Sequence, residues 1–519
     1  MDENRVAQHA PGLPLQAFGI DATRSLERAA IAGLGIAGLV LMRRAGHACF
    51  EALRAHWPMA KCIAVVCGAG NNAGDGFVLA TLAQRAGFDV RVHVVVPQAR
   101  FVANLALPDA CAAYADMCSA GVNMTSLQSA ISDADVIVDA LLGIGLSRAL
   151  DADFSHAIAQ INAASAAIVA VDVPSGLDAD TGAVAGACVG ADLTCTFITL
   201  KLGLLTARGP SVSGAVIHCD LGLPAPLLAT ASAQAVRIDA PARLMSQLPR
   251  RAIDAHKGNF GHALIIGGER PYAGAVLLAT QACVHSGAGL VSVMTRPAHA
   301  STLVAACPEA MFVGVDDAAE LPALAARATV LAIGPGLGTT PWSEALLRAA
   351  LSNQSSIVLD ADALNLLASG AVRETTVEHL VLTPHPGEAA RLLNTNVHSV
   401  QAERWAAAQA LAERYGAVCV LKGAGTIIAS PGSAPSVAVV GNPGLAAGGS
   451  GDTLTGIIAA LIAQRRALGL TLREAVELSV CAHGVAADRA ARSGERGMRA
   501  TDVIAQLRGV LNPGVGACR

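Results

Sequence analysis

The sequence predicts an α/β protein of two successive domains, and three observations carry that expectation. Short β-branched runs alternate with helical ones along the chain. The apolar runs end in glycine, proline or a polar residue. At 519 residues the chain exceeds one ordinary hydrophobic core. Apolar residues make up 53% and aromatics 3%, with 52 glycines, a mixture that suits helices packed closely on a parallel sheet. A net charge of −4 without any basic block argues against nucleic acid and anionic membranes as partners. The start, "MDENRVAQHAPG", has no apolar run of the signal-peptide kind. The longest greasy stretch, "AAIAGLGIAGLVLM" (29–42), is too short to span a bilayer and reads as a buried helix. Thirteen cysteines without a CxxC pair read as small buried residues of a reducing, cytoplasmic setting.

Taken in order, "CIAVVCGAG" reads as a strand, "GDGFVLATLAQRAG" as a helix and "FDVRVHVVV" as a strand. "DVIVDALLG", "AIVAVDVPSG" and "DLTCTFITL" follow as strands, and "AVIHCDLGLP" closes the first half, giving a domain over 1–228. The segment 222–250, rich in Ala and Pro with little periodicity, reads as the linker. A second domain over 240–519 restarts with "GHALIIGG", "LVSVMT", "TVLAIGPGLG", "SIVLDADALNLL", "HLVLTPHPGE" and "AVCVLKGAGTII". Ligands of open α/β sheets bind beyond the carboxyl ends of strands, where the polar residues of these runs collect.

Three strand ends of the first half offer chemistry. "CGAGNNAGDG" (67–76) frees backbone amides and adds Asn71, Asn72 and Asp75. "DALLGIGLSR" (139–148) pairs Asp139 with a second glycine loop. "VDVPSGLDADTG" (171–182) brings Asp172 and Ser175. Amide, carboxylate and hydroxyl oxygens together suit a hard cation, and low ligand charge favours a monovalent one. Any one of these motifs alone reads better as a plain turn or cap; their shared position at strand ends argues for function.

With "LMRRAG" (41–46) before and "TLKLGLLTARGP" (199–210) after, these motifs resemble the NAD(P)H-hydrate epimerase domain over roughly residues 15–225. The resemblance implies a Rossmann-like three-layer domain. It implies that Asn71, Asn72, Ala73, Gly74 and Asp75 line the hydrated dinucleotide, and that Gly143, Ile144, Gly145, Leu146, Ser147 and Arg148 form a phosphate loop. It further implies that Asn72, Asp139 and Ser175 hold potassium and that Asp172 contacts the nicotinamide as acid/base. The family usually reads NNGGDG, so Ala73 departs from it; a methyl there is tolerable at negative φ.

In the second half, "HKGNFGHALIIGG" (256–268) is a basic, glycine-bearing loop before a strand. "LTPHPGEAARLL" (382–393) sets His385 between prolines, and "LKGAGT" (421–426) bends around Lys422. "GNPGLAAGGSGDTLTG" (441–456) feeds an apolar helix, whose N-terminal N–H groups favour an anion; the plainer reading makes Asp452 an N-cap. The ordered set HKG, GPGLG, DADALN, TPHPGE, KG..T, GNPG and GGSGD resembles the ADP-dependent NAD(P)H-hydrate dehydratase domain over about residues 245–512, itself similar to ribokinase-like kinases. Ala447 stands where relatives often carry threonine.

That resemblance implies a ribokinase-like α/β domain in which Lys422, Gly423, Ala424, Gly425, Thr426 and Gly451 hold ADP. Ala275, Gly336, His385 and Asp452 would contact the hydrate, with Asp452 as base. The expected activity is repair of hydrated NADH and NADPH: epimerisation of R and S forms, then ADP-dependent dehydration of the S form to AMP, phosphate and NAD(P)H. K+ is expected in the first domain, Mg2+ with the nucleotide in the second, and a homo-oligomer as the assembly. Two other readings stand beside it, a small-molecule kinase with an accessory domain and a binding module in the first half. The ordered motifs argue against the former, and the strand-end acids Asp75, Asp139 and Asp172 against the latter.

Overall fold

The computed structural model describes residues 12–96, 107–145, 150–184, 186–372 and 377–513. The chain divides into two compact units, Met1–Val236 and Arg237–Arg519.

The first unit is built on a seven-stranded sheet with every pairing parallel. Its order is Asn123–Met124, Asp89–Val94, Cys62–Cys67, Val136–Ala140, Ala167–Val171, Leu193–Phe197 and Ala215–Cys219. Strand residues point alternately to the two faces. Ile63, Val65 and Val138 therefore pack with Phe50, Leu53 and Phe77 on one side, while Ala64, Val66 and Ile137 meet Phe154, Ile158 and Ile161 on the other. Burial on both faces explains why these strands read as continuous apolar runs. The strand order reverses beside Cys62–Cys67, so a crevice opens between the loops after Cys67 and Ala140.

In the second unit the strands Met311–Gly314, Leu290–Thr295, His262–Ile266, Val330–Ile333, Ser356–Leu359, Leu380–Leu382 and Val418–Leu421 run parallel in that order. Thr426–Ser430 and Ser433–Ala438 extend the sheet antiparallel, a hairpin the sequence analysis had left out. The order reverses between His262–Ile266 and Val330–Ile333. The helices Ser450–Leu468 and Leu472–Ala490 are buried along most of their length, Ser450–Leu468 packing closely on Ala273–His285.

One expectation is corrected and another refined. The stretch 29–42 is not one buried helix: Ile20–Leu34 ends at Gly35, whose left-handed φ of 67° turns the chain, and Gly38–His56 begins anew. Residues 31–35 are exposed, because the apolar run is Ala- and Gly-rich and buries only one face. The boundary between the two units does fall inside 222–250, the segment read as the linker, but its low periodicity hides regular elements. The segment carries the helices Ala225–Leu228 and Ala240–Gln247 and the strand Ala235–Arg237, with Asp239 capping the second helix through Ala242 N–H. Periodicity failed there because elements this short show only a turn or a pair of residues to each face.

Close packing of the helices Ser450–Leu468 and Ala273–His285 depends on Gly456, where a β-carbon would lie 2.1 Å from the Ala279 carbonyl oxygen. Gly456→Ala should therefore destabilise the second unit by about 1–3 kcal/mol, the cost of overpacking a filled core, read from that unit's urea unfolding midpoint.

Candidate functional site

In the first unit the carboxyl ends of three adjacent strands converge. Asp139, wholly buried at the end of Val136–Ala140, accepts from Ser175 Oγ at 2.6 Å and Leu141 N–H at 3.2 Å on Oδ1, and from Ser175 N–H at 2.8 Å on Oδ2. Burial pushes its carboxyl up to about 6 against these bonds. Ser175 Oγ also meets the Leu142 backbone, at 2.9 Å from N and 3.1 Å from O. The next turn reaches Asn72, since a β-carbon on Gly143 would stand 2.9 Å from Asn72 Oδ1. Asn72 is buried and its Nδ2 has no hydrogen-bond partner among the described residues. Asn72, Asp139 and Ser175 thus border one turn, Leu141–Gly143.

Asp172 follows the next strand with a left-handed φ of 69°, a conformation that costs a non-glycine residue energy and is held only by its surroundings. Its N–H donates to Cys195 O at 2.8 Å. Its Oδ1 accepts from Thr196 Oγ1 at 3.2 Å, from Phe197 N–H at 3.1 Å and from the Lys201 ammonium in a short ion pair. Lys201 is wholly buried and also donates to Phe197 O at 2.6 Å. Asp75 and Glu27 face the same cluster. Burial first, and the Asp172 charge second, push both carboxyls above the usual range, Asp75 well above it.

Ala73 lies in the first turn of the helix Asn71–Arg85 and is not among the positive-φ residues, so the family departure is sterically accommodated. Gly74 is buried in that turn, while Asn71 is exposed. Gly143, Ile144 and Gly145 follow Leu142, with Ile144 O accepting from Arg24 at 3.3 Å. Leu146, Ser147 and Arg148 lie outside the described residues.

In the second unit, three strand ends and one helix gather around Asp360, which is 2% exposed. Lys422 Nζ donates to its Oδ1 at 2.8 Å, as does Thr383 Oγ1 at 2.8 Å, and Thr455 Oγ1 reaches Oδ2 at 2.7 Å. Burial alone would raise Asp360; Lys422 and these bonds hold it below its ordinary value. Burial likewise opposes the charge of Lys422, but Asp360 and Glu388 outweigh it and keep the ammonium protonated. Glu388 lies 3.9 Å away, and burial raises its carboxyl. His385 caps the helix Pro386–Leu392, its Nδ1 accepting from Gly387 N–H at 2.9 Å and from Glu388 N–H at 3.4 Å; burial and then Lys422 lower its ring.

The helix Ser450–Leu468 aims its N-terminus at this cluster. Its N-cap is Gly449, so Asp452 sits within the first turn and is no cap. A β-carbon on Gly451 would stand 3.3 Å from Lys422 Nζ, so a bare backbone turn and an ammonium share one place. Burial first, then Asp360, push Asp452 up to about 6. Lys422–Thr426 bend around Arg404, which is 1% exposed and donates from Nη2 to the carbonyls of Leu421, Lys422 and Gly425 at 3.2, 3.2 and 3.4 Å. Thr426 Oγ1 closes the turn onto Gly423 O at 3.1 Å.

Ala275 and Gly336 form a neighbouring wall, where a β-carbon on Gly336 would lie 3.1 Å from Ala275 Cβ. Behind it Arg296 grips Glu269 at 2.6 and 2.9 Å and lies 4.1 Å from the centroid of the Trp342 ring. Ala447 is exposed in the preceding loop.

Sequence reasoning passed over the residues that hold the others: Lys201, Asp360, Thr383, Thr455 and Arg404. Lys201 had a signal, being the one charge in the run "TFITLKLGLL". Asp360 stood inside a quoted motif. Arg404, on a helix far along the chain from its turn, had none.

Residues 38–203 match the family model described as YjeF-related protein N-terminus, and residues 263–508 match the model of NAD(P)H-hydrate dehydratase. The bifunctional NAD(P)H-hydrate repair enzyme Nnr of Coxiella burnetii is 44% identical over 94% of this chain and 98% of its own length. Its Escherichia coli counterpart is 40% identical over 99% of this chain and 98% of its own. Among solved structures, an ADP/ATP-dependent NAD(P)H-hydrate dehydratase from Bacillus subtilis, co-crystallised with ATP and Mg2+, is 28% identical with a TM-score of 0.46, covering 52% of this chain and 95% of that one. With both domain models met in order and the two curated relatives aligned over nearly their whole length, the chain belongs to the bifunctional NAD(P)H-hydrate repair enzymes, which join an epimerase and a dehydratase domain.

Proposed function

We propose that the second unit transfers the β-phosphoryl group of ADP to the C6 hydroxyl of S-hydrated NAD(P)H, and that the first unit converts the R form into the S form. The observation that carries the dehydratase reading is Lys422 Nζ standing at the bare first turn of Ser450–Leu468. An ammonium and a helix N-terminus converging on one point stabilise the charge on a phosphoryl group in flight. Asp452, in the same turn, takes the hydroxyl proton as the oxygen attacks phosphorus and AMP leaves. The ring nitrogen lone pair then expels phosphate from C6, and loss of a C5 proton restores the dihydronicotinamide. Ala275, Gly336 and His385 line the hydrate side, and Lys422–Thr426 with Gly451 the nucleotide side. Mg2+ would accompany the nucleotide, with phosphate oxygens as its principal ligands.

In the first unit Asn71–Asp75 and Gly143–Arg148 would hold the dinucleotide, and Asp172 would move the C6 hydroxyl proton while the ring opens at C6–N1 and recloses. Asn72, Asp139 and Ser175 fit a monovalent cation. They offer only oxygen ligands with a single charge, and all three border one turn, Leu141–Gly143, on which Asn72 Oδ1 closes from the side of Gly143. K+ bound there would tie the three strand-end loops together. ADP as the preferred phosphoryl donor, a homo-oligomeric assembly and a cytoplasmic setting remain parts of this reading. No helix among the described residues is long and apolar enough to cross a membrane.

Recovery of 340 nm absorbance from mixed R and S hydrates of NADH, with ADP and Mg2+, tests the whole. Complete ADP-dependent recovery is expected; a phosphorylated alcohol accumulating without recovery would favour the kinase reading instead. Because Asp452 must be ionised to act and titrates near 6, kcat for dehydration should rise through about pH 6 and level off above it. Asp452→Asn should lower kcat by about 10²–10⁴-fold with the ADP KM little changed.

A stability measurement tests the cation. Asp139 binds its proton more tightly folded than unfolded, so that contribution is full below about pH 4 and lost as pH rises through 6. The loss amounts to about 3 kcal/mol in the absence of a bound cation. K+, which competes with that proton, should restore stability to the first unit at pH 8 but not at pH 4.5, against a tetramethylammonium control. Equal stability in both salts at pH 8 would count against the site.

A further inference from the structure

Asp172 has two carboxylate oxygens, and the surroundings treat them differently. Oδ1 takes all three donors, from Thr196, Phe197 and Lys201, while Oδ2 takes no hydrogen bond from any described residue. Lys201 has one fixed place: its side chain is 1% exposed against 13% for Asp172, and Phe197 O holds the ammonium from behind at 2.6 Å. A cation this deep is reached by no substrate; it can act only through its partner.

The partner needs it. Asp172 is faced by Glu27 from the helix Ile20–Leu34, Cys49 from Gly38–His56, Asp75 from Asn71–Arg85 and His218 from Ala215–Cys219. Two of these are further carboxyls, and Lys201 is the cation that faces all three acids. Burial lowers the affinity of Lys201 for its proton, and the Asp172 charge and hydrogen bond oppose this without reversing it.

We propose that Lys201 is a positioning residue of the epimerase: by occupying Oδ1 it keeps Asp172 ionised and leaves Oδ2 as the atom that accepts the substrate's proton. This rests on Asp172 being the acid/base of that half-reaction. The step balances without a further reagent. Oδ2 takes the C6–OH proton, the C6–N1 bond breaks to give a C6 aldehyde, and its electron pair stays on nitrogen, which is protonated from solvent. Reclosure on the other face of the aldehyde reverses each transfer.

The test is the pH profile of epimerisation, measured on purified R-hydrate with S-hydrate formation followed chromatographically, for the wild-type chain, K201M and K201Q. Without the cation, a carboxylate beside Glu27 and Asp75 holds its proton more tightly. Both variants should lose at least about 100-fold in kcat at pH 7, the ordinary worth of a positioned base, with KM within about threefold. Their acid limb should move up by at least about one pH unit, with activity partly recovered at high pH. A limb at the wild-type position, or a loss confined to KM, overturns the proposal. No epimerisation by the wild-type chain, or full activity in D172N, would instead overturn the reading on which it rests. K201Q keeps a donor for Phe197 O and so tolerates burial better than K201M. Should neither fold, carboxyl-carbon NMR of Asp172 in the wild type decides. An ionised Asp172 throughout the active pH range supports the assignment, and a protonated one within that range overturns it.

Discussion

Asp360 and Lys422 meet at 2.8 Å in the interior of the second unit, and most of that unit's site is arranged by the meeting. Taking two charges out of water is expensive, and the attraction between them offsets that cost only when the remaining lone pairs are also satisfied. Thr383 and Thr455 satisfy them, each from a different element. The pair therefore joins three strand ends to the first turns of Ser450–Leu468. Removing either partner would leave the other charge buried alone, a loss of about 3–5 kcal/mol, so the arrangement is held as a unit.

From that constraint follow the positions of the reactive groups. Lys422 must reach Asp360 from the end of its strand, which brings its ammonium close against Gly451 and leaves little room for a side chain there. Arg404 then fixes the return of the chain, since three carbonyls of the 421–425 turn converge on one guanidinium. Asp452 inherits its environment from the same place. It stands in the first turn, partly desolvated, with Asp360 as a like charge and Lys422 as an opposite one. A carboxyl poised near 6 suits a base that works around neutrality.

What could be read without coordinates was what repeats or punctuates. The parallel strands were legible because burial on both faces makes them continuous apolar runs, as in "CIAVVC" and "SIVL". Their ends were legible because glycine and aspartate mark them. The break at Gly35 was missed because three glycines, Gly33, Gly35 and Gly38, punctuate that run and none is marked as the turn until its φ is known. The hairpin Thr426–Ser430 and Ser433–Ala438 was missed because its turn is polar and the second strand, SAPSVA, starts exposed and contains a proline. In the sites, the candidate binding residues and most of their supports fell in short local motifs, Asp360 in DADALN among them, but the pairings between those motifs carried no signal. Asp360 meets Lys422 across 62 positions and Arg404 meets Gly425 across 21, so only the fold brings them together.

The two units use the same pair of side-chain types in opposite senses, and exposure tells which partner does the work. In the second unit Lys422 retains 20% of its side-chain surface and Asp360 only 2%, so the lysine is the accessible member of the pair and the carboxylate stands behind it. In the first unit the order is reversed, with Asp172 at 13% and Lys201 at 1%. A phosphoryl group calls for a fixed positive charge, and a lysine backed by an acid supplies one that does not drift with its surroundings. A proton transfer calls for a base with an oxygen free to accept, and in Asp172 one carboxylate oxygen is held by Lys201, Thr196 and Phe197 while the other takes no donor from any described residue. In each pair the buried partner fixes the place of the more accessible one without itself reaching the surface.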